Sequence, residues 1–249
     1  MSTHFEDIGY VFEDGQELVD LLNNNMEEAA YYDSADGQGE CILLQPDRQT
    51  RFWYYKRKDE DFLCGLDLHY QGNAGFWMSR ASWVVSDAEP KFKDDSGNLV
   101  PAKTQSRPMI GSSPAGTTVC VNMVEAPLMG DPDSSCSLHL AVTAFCEEAK
   151  VDEEVSEESF IPIGIFTAEG EAAQPRATMT ATVKSAVLQR NGNSGKFFYE
   201  AAVSCLGMDF TLVGNAAALK GIPKEGRTVT GTFWLSATVR EVKYLSDIE

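Results

Sequence analysis

The sequence predicts an α+β protein in two parts: a mixed, mostly antiparallel N-terminal α/β domain over residues 1–155, then a small five-stranded β-barrel over 156–249. Three observations carry this prediction. The first is charge: residues 1–155 hold 11 Lys+Arg against 28 Asp+Glu, whereas 156–249 hold 9 against 10, so almost all of the net −18 belongs to the first part. The second is the run from Glu147 to Ser159, with seven acids in thirteen residues, which reads as a solvated boundary. The third is residues 177–242, where short β-prone runs are separated by turn residues in the manner of a meander.

In the first part, Asp14-Gly15-Gln16-Glu17 has capping spacing and precedes Leu18, Leu21, Leu22, Met26 and Ala29 at helical period, so a helix is expected over about residues 15–30. Asp33 to Gly39 ends it in a loop. Strands are expected at Cys41 to Leu44, Arg51 to Tyr55, Phe62 to Tyr70 and Phe76 to Val85. Alternation of Leu66, Leu68 and Tyr70 with Asp67, His69 and Gln71 gives this sheet one buried and one wetter face. Asp87 to Pro114, rich in Pro, Gly, Ser, Asp and Lys, reads as a long excursion. Gly116 to Glu125 is a further strand; Ser137 to Cys146 fits a strand or, through Leu138, Val142, Phe145 and Ala149, a helical face.

In the second part, Phe160 to Phe166 carries Pro162 and Gly164 and reads as an edge or entry strand. Strands follow at Ala177 to Val183, Phe197 to Tyr199, Phe210 to Val213 and Thr230 to Ala237, with Asn191 to Gly195 as a hairpin loop. Parity sets Phe233 and Leu235 opposite Trp234, and Gly231 marks a bend or a close backbone approach. Asn215 to Lys220 fits a short helix between the third and fourth strands, with Leu219 plugging the barrel end. That arrangement is of the oligonucleotide/oligosaccharide-binding (OB) type. No internal repeat is visible.

The segments Phe160 to Phe166, Asn191 to Tyr199 and Gly231 to Ser236, with the N-terminal Phe5-x-x-Ile8-Gly9, resemble a family of uncharacterised conserved hypothetical bacterial proteins. The resemblance implies a bacterial cytoplasmic origin and a boundary near residue 156; it brings no activity and no site residues.

Chemistry is sparse. His4, His69 and His139 are the three histidines, without a local zinc motif around them. The six cysteines, at 41, 64, 120, 136, 146 and 205, include no CxxC and stand partly in apolar runs, as reduced buried thiols do. With an acidic N-terminus that lacks an apolar signal, this usage leads to an expected cytoplasmic location. Gly111 to Gly116 is not a nucleophile elbow, Asp33 to Glu40 and Asp94 to Asn98 lack calcium-loop spacing, and no Walker or GxGxxG sequence occurs. Lys56-Arg57-Lys58 is cancelled by Asp59-Glu60-Asp61. No catalytic, cofactor-binding or metal-binding residue and no cofactor is therefore assigned. Tyr199, Phe210 and Trp234 are the candidates for ligand contact, because an outward aromatic on a barrel stacks a base or a sugar.

The expected function is a non-catalytic binding or interaction protein, its acidic surface suited to a basic protein partner and unsuited to phosphate backbones or anionic lipid. Single-stranded nucleic-acid binding by the barrel and an enzyme with a site at the domain junction are the alternatives.

Overall fold

The computed structural model describes residues 4–58, 63–84, 91–93, 99–101, 106–133, 135–165 and 173–244. One α-helix, α1 (Gly15–Asn25), precedes the strands β1 (Ala30–Asp33), β2 (Gly39–Leu44), β3 (Thr50–Arg57), β4 (Leu63–Tyr70) and β5 (Gly75–Trp83). Then come β6 (Lys91–Lys93), β7 (Leu99–Pro101), β8 (Arg107–Ser112), β9 (Thr118–Met123), β10 (Cys136–Asp152) and β11 (Ser159–Pro162). The last are β12 (Arg176–Arg190), β13 (Phe197–Cys205), β14 (Met208–Gly214), β15 (Leu219–Lys220) and β16 (Thr228–Tyr244). β1 to β4 form one sheet in sequence order, β6 and β7 pair with each other, and the other ten form a large sheet.

That large sheet closes on itself twice. β10 and β16, each of 17 residues, run antiparallel from Cys136↔Tyr244 to Asp152↔Thr228. One half of the pair joins β5, β8 and β9: β5 pairs with β8, β8 with β9, β9 runs parallel to β16, and β10 returns to β5. The other half joins β12, β13 and β14: β12 pairs with β13, β13 with β14, β14 runs parallel to β10, and β16 returns to β12. Both circuits are five-stranded rings with the same order of antiparallel and parallel pairs, and β10 and β16 exchange roles between them. The chain thus contains a structural repeat, β5–β8–β9–β10 and β12–β13–β14–β16, that the sequence does not display.

The interiors of the two rings merge into one core. Met78, Met109, Val121 and Leu140 of the first ring belong to the same buried cluster as Met179, Val203, Phe210, Leu212 and Phe233 of the second. Leu219 enters that cluster from β15 after a turn, not from a helix: Asn215 Oδ1 accepts from Ala217 N and Ala218 N at 2.8 and 2.9 Å. Gly231 is a close approach, since a Cβ there would stand 2.3 Å from the Ala149 Cβ and the Glu148 carbonyl oxygen.

The small sheet is wedged against the outside of both rings. Alternate residues Ile42, Leu44, Phe52 and Tyr54 meet Phe145, Phe198 and Val213, together with Phe5, Ile8 and Tyr10. The opposite set, Cys41, Leu43, Trp53 and Tyr55, meets Val124 and Leu128. Helix α1 covers the first cluster with Leu18, Leu21 and Leu22, and Met26 adds to it from the 3-10 turn that follows. Its cap is the expected Asp14, whose Oδ1 accepts from Gln16 N at 2.8 Å and Glu17 N at 3.1 Å.

This architecture corrects the α+β expectation. Among the described residues the protein is mostly β, and it is not an α/β domain followed by a separate five-stranded barrel. The strands of residues 177–242 do close a five-membered ring, but one member is β10, which lies before residue 155, and the ring continues into a ten-stranded sheet. β10 also resolves the ambiguity at 137–146 as strand, and it extends through the acidic Glu147 and Glu148 to Asp152. In the expected excursion at 87–114, β8 alternates buried and half-buried residues, while 85–90, 94–98 and 102–105 lie outside the described residues, as does the Asp94 to Asn98 turn. Asp59-Glu60-Asp61, Phe62 at the head of an expected strand and Phe166 at the end of the expected entry strand also lie outside them.

Candidate functional site

A concavity of about 780 Å³ opens where the second ring meets the N-terminal segment. A register shift in β10 between Cys146 and Glu148 inserts Glu147 as a bulge opposite β16. Bulges re-aim side chains, and here Glu147 meets Arg176 of β12, which donates from Nε at 3.0 Å and also from Nη2. Glu148 accepts from Lys220 Nζ at 2.8 Å, and the pair holds the Glu148 carboxyl below its ordinary range.

From the other side come His4, Glu6 and Asp7. Residues 6–8 form a 3-10 turn that ends at Gly9 with φ 78°, a left-handed position suited to glycine. The turn is clamped by the hairpin loop expected at 191–195: Asn191 Nδ2 donates to Ile8 O at 2.9 Å and Ser194 Oγ to Gly9 O. His4 packs on Phe145 and Trp234, ring centroids 5.2 and 5.7 Å away, and its Nδ1 lies 3.1 Å from Asp7 Oδ2. Burial pushes the Asp7 carboxyl up, against the lowering pull of His4.

The three sequence candidates do not share a face. Phe210 is wholly buried in the common core, 5.4 Å from Phe76 and 6.1 Å from Phe160 between ring centroids. Tyr199 is half-buried against that core. Trp234 lies on the opposite side of the ring wall, half-buried with the N-terminal cluster and paired across strands with Phe145 and Arg176. Trp234 alone adjoins the concavity, through His4. Sequence reading missed Glu147, Glu148 and Arg176 because a bulge and a cross-strand neighbour have no local motif.

Elsewhere, His69 and Ser236 form a second polar cluster between the small sheet and the first ring. Both are sealed, and His69 Nδ1 lies 3.0 Å from Ser236 Oγ. Asn122, next to Ser236 across the parallel pair, donates to Asp67 at 3.4 Å. The distance suits a nucleophile and base, but neither residue reaches solvent. His139 stacks on Trp77 at 5.0 Å. Burial pushes the thiols of Cys41, Cys120, Cys146 and Cys205 up to about 12, which leaves them unreactive near neutral pH. Among the described residues no three His, Cys, Asp or Glu side chains are grouped to hold a metal ion, and no helix is long and apolar enough to cross a membrane.

The His69 environment predicts a pH signature. Burial, then Arg51 and Arg240, lower its pKa from 6.5 to about 3. Folding therefore favours the neutral ring. The resulting stability is complete above pH 6.5 and is lost as pH falls toward 3, at about 1.4 kcal/mol per unit. Asp7, Asp67 and Glu125, raised by burial, act in the opposite sense as pH falls. Comparison with His69→Gln isolates the histidine: urea unfolding at pH 7, 6, 5 and 4 is expected to show the native protein losing stability relative to the variant. A constant difference between the two would contradict this.

Comparison with protein-family models, curated proteins and solved structures gives no match, so no relative lends a role to these residues.

Proposed function

We propose that this protein is a non-catalytic binding protein of a bacterial cytoplasm, whose acidic rim captures a basic protein partner. The carrying observation is the open concavity at the β10 bulge, where Glu6, Asp7, Glu147 and Glu148 stand among its lining residues against Arg176 and His4. β10 then leads into exposed Glu153, Glu154 and Glu157, which extend the acidic character away from the bulge. An arginine or lysine entering from a partner competes with Arg176 and Lys220 for Glu147 and Glu148. Partner charges thus exchange for internal ones, with less burial of unpaired charge than a preformed cage would demand.

The test is capture of partners from bacterial lysate on the tagged protein, with nuclease-treated controls. A basic protein retained at about 0.1 M salt and released at several hundred millimolar is expected, because screening shortens from roughly 10 Å toward 3 Å by 1 M. Glu6→Gln combined with Glu148→Gln should lower that retention several-fold. Retention indifferent to salt and to these substitutions would refute the reading, and nuclease-sensitive recovery would replace it with nucleic-acid binding.

A further inference from the structure

A second cavity, of about 220 Å³, lies between the small sheet and the outer wall of the first ring, bordered by Tyr32, Arg51, Trp53, Gln71, Glu125 and Thr238 among others. Its polar groups are unusual in their accounts. Trp53 is 4% exposed, yet its Nε1 has no hydrogen-bond partner among the described residues. An indole N–H only donates, and this one is sealed from the cavity as well as unpaired, so the ring serves the cavity as an apolar wall.

Arg51 spends Nη1 on the carbonyls of Arg48 and Thr50, both at 3.1 Å, and has no bonded partner among the described residues for Nε and Nη2. Burial holds its pKa below the usual range, against the raising pull of the Asp47 carboxylate. Glu125 accepts from Val239 N at 3.0 Å, and burial raises its carboxyl pKa. Arg51 and Glu125 thus border one cavity without forming an ion pair with each other. Partly desolvated opposite charges left apart are costly, and a molecule carrying the complementary charges at its two ends relieves both. Tyr32 and Trp53, with ring centroids 6.3 Å apart, supply an aromatic wall, and Leu43 and Leu128 extend it. The volume falls below the roughly 300–1,000 Å³ of sites for drug-sized ligands, which limits the occupant to a small metabolite.

We infer that this cavity binds a small zwitterion of the amino-acid class, its carboxylate held by Arg51, its ammonium by Glu125, and its side chain against Tyr32 and Leu128. This site is separate from the acidic concavity and does not depend on its proposed role.

The test uses the full chain with each of the proteinogenic amino acids at up to about 10 mM, read by tryptophan fluorescence and thermal unfolding. The carboxamide and the des-amino analogue of each active compound are run beside it. At least one amino acid is expected to raise the unfolding midpoint and change the fluorescence, with binding weakened about tenfold or more by removal of either charge. Arg51→Gln and Glu125→Gln should each weaken it by a similar factor, and Trp53→Phe should remove most of the fluorescence change. Should a core variant fail to fold, Tyr32→Ala on the exposed edge strand provides the check, with weaker binding and an unchanged unliganded midpoint. No response to any amino acid would mean a water-filled cavity and overturn the inference. Binding of simple carboxylates that ignores Glu125→Gln would overturn it in favour of an anion site.

Discussion

Residues 156–249 expressed alone are expected to lack a cooperative unfolding transition, although they contain β11 through β16. The ring these strands build is missing its fifth member. β10 supplies Thr143 to Phe145 as the parallel partner of β14, and Glu148 to Asp152 as the antiparallel partner of β16. Without it, Phe210, Leu212 and Phe233 lose one wall of their enclosure, and two long strand edges lie bare to aggregation. Co-expression with residues 1–155 should restore a soluble complex, because it returns β10 in trans. Circular dichroism against temperature distinguishes the cases; a sharp transition in the isolated fragment would contradict the shared-strand account.

Phe210→Ala is expected to cost about 3–5 kcal/mol, the usual range for removing a buried phenyl ring. At roughly 2–4 °C per kcal/mol for a chain of this size, the unfolding midpoint falls by about 10 °C. Phe210→Leu should cost appreciably less, since it leaves a smaller void between Phe76 and Phe160. Denaturant titration measures both. A Phe210→Ala protein as stable as its parent would place this side chain outside the core.

The contrast between Phe210 and Trp234 shows what the sequence could convey. Strand parity sets Phe233 and Leu235 on the face opposite Trp234, because alternation is a local property, and the structure turns the first two inward. Parity does not say whether an outward ring meets solvent or another layer, and Trp234 meets His4 and Phe145. The capped helix was legible for the same local reason, through Asp14 and the Leu18 to Met26 stripe. The second part of β10 was not, because its acidic stretch from Glu147 to Asp152 looks like a linker unless its neighbours Arg176, Lys220 and Thr230 are known. β8 was hidden by Pro108 and Gly111, residues usual in loops; Gly111 is needed because a Cβ would come within 2.6 Å of Met78. The acidic concavity draws on five separated stretches of chain, so no motif announced it.

The sharing of β10 and β16 also sets a timetable for the nascent chain. β10 ends at Asp152 and β16 begins at Thr228, so the first ring has four of its strands made long before the fifth exists. At roughly 5–20 residues per second of synthesis, β9 and β10 wait several seconds with open edges. Both rings then close on the arrival of one strand, which makes the last step of assembly common to the two halves and leaves the growing polypeptide in need of protection on the ribosome until that moment.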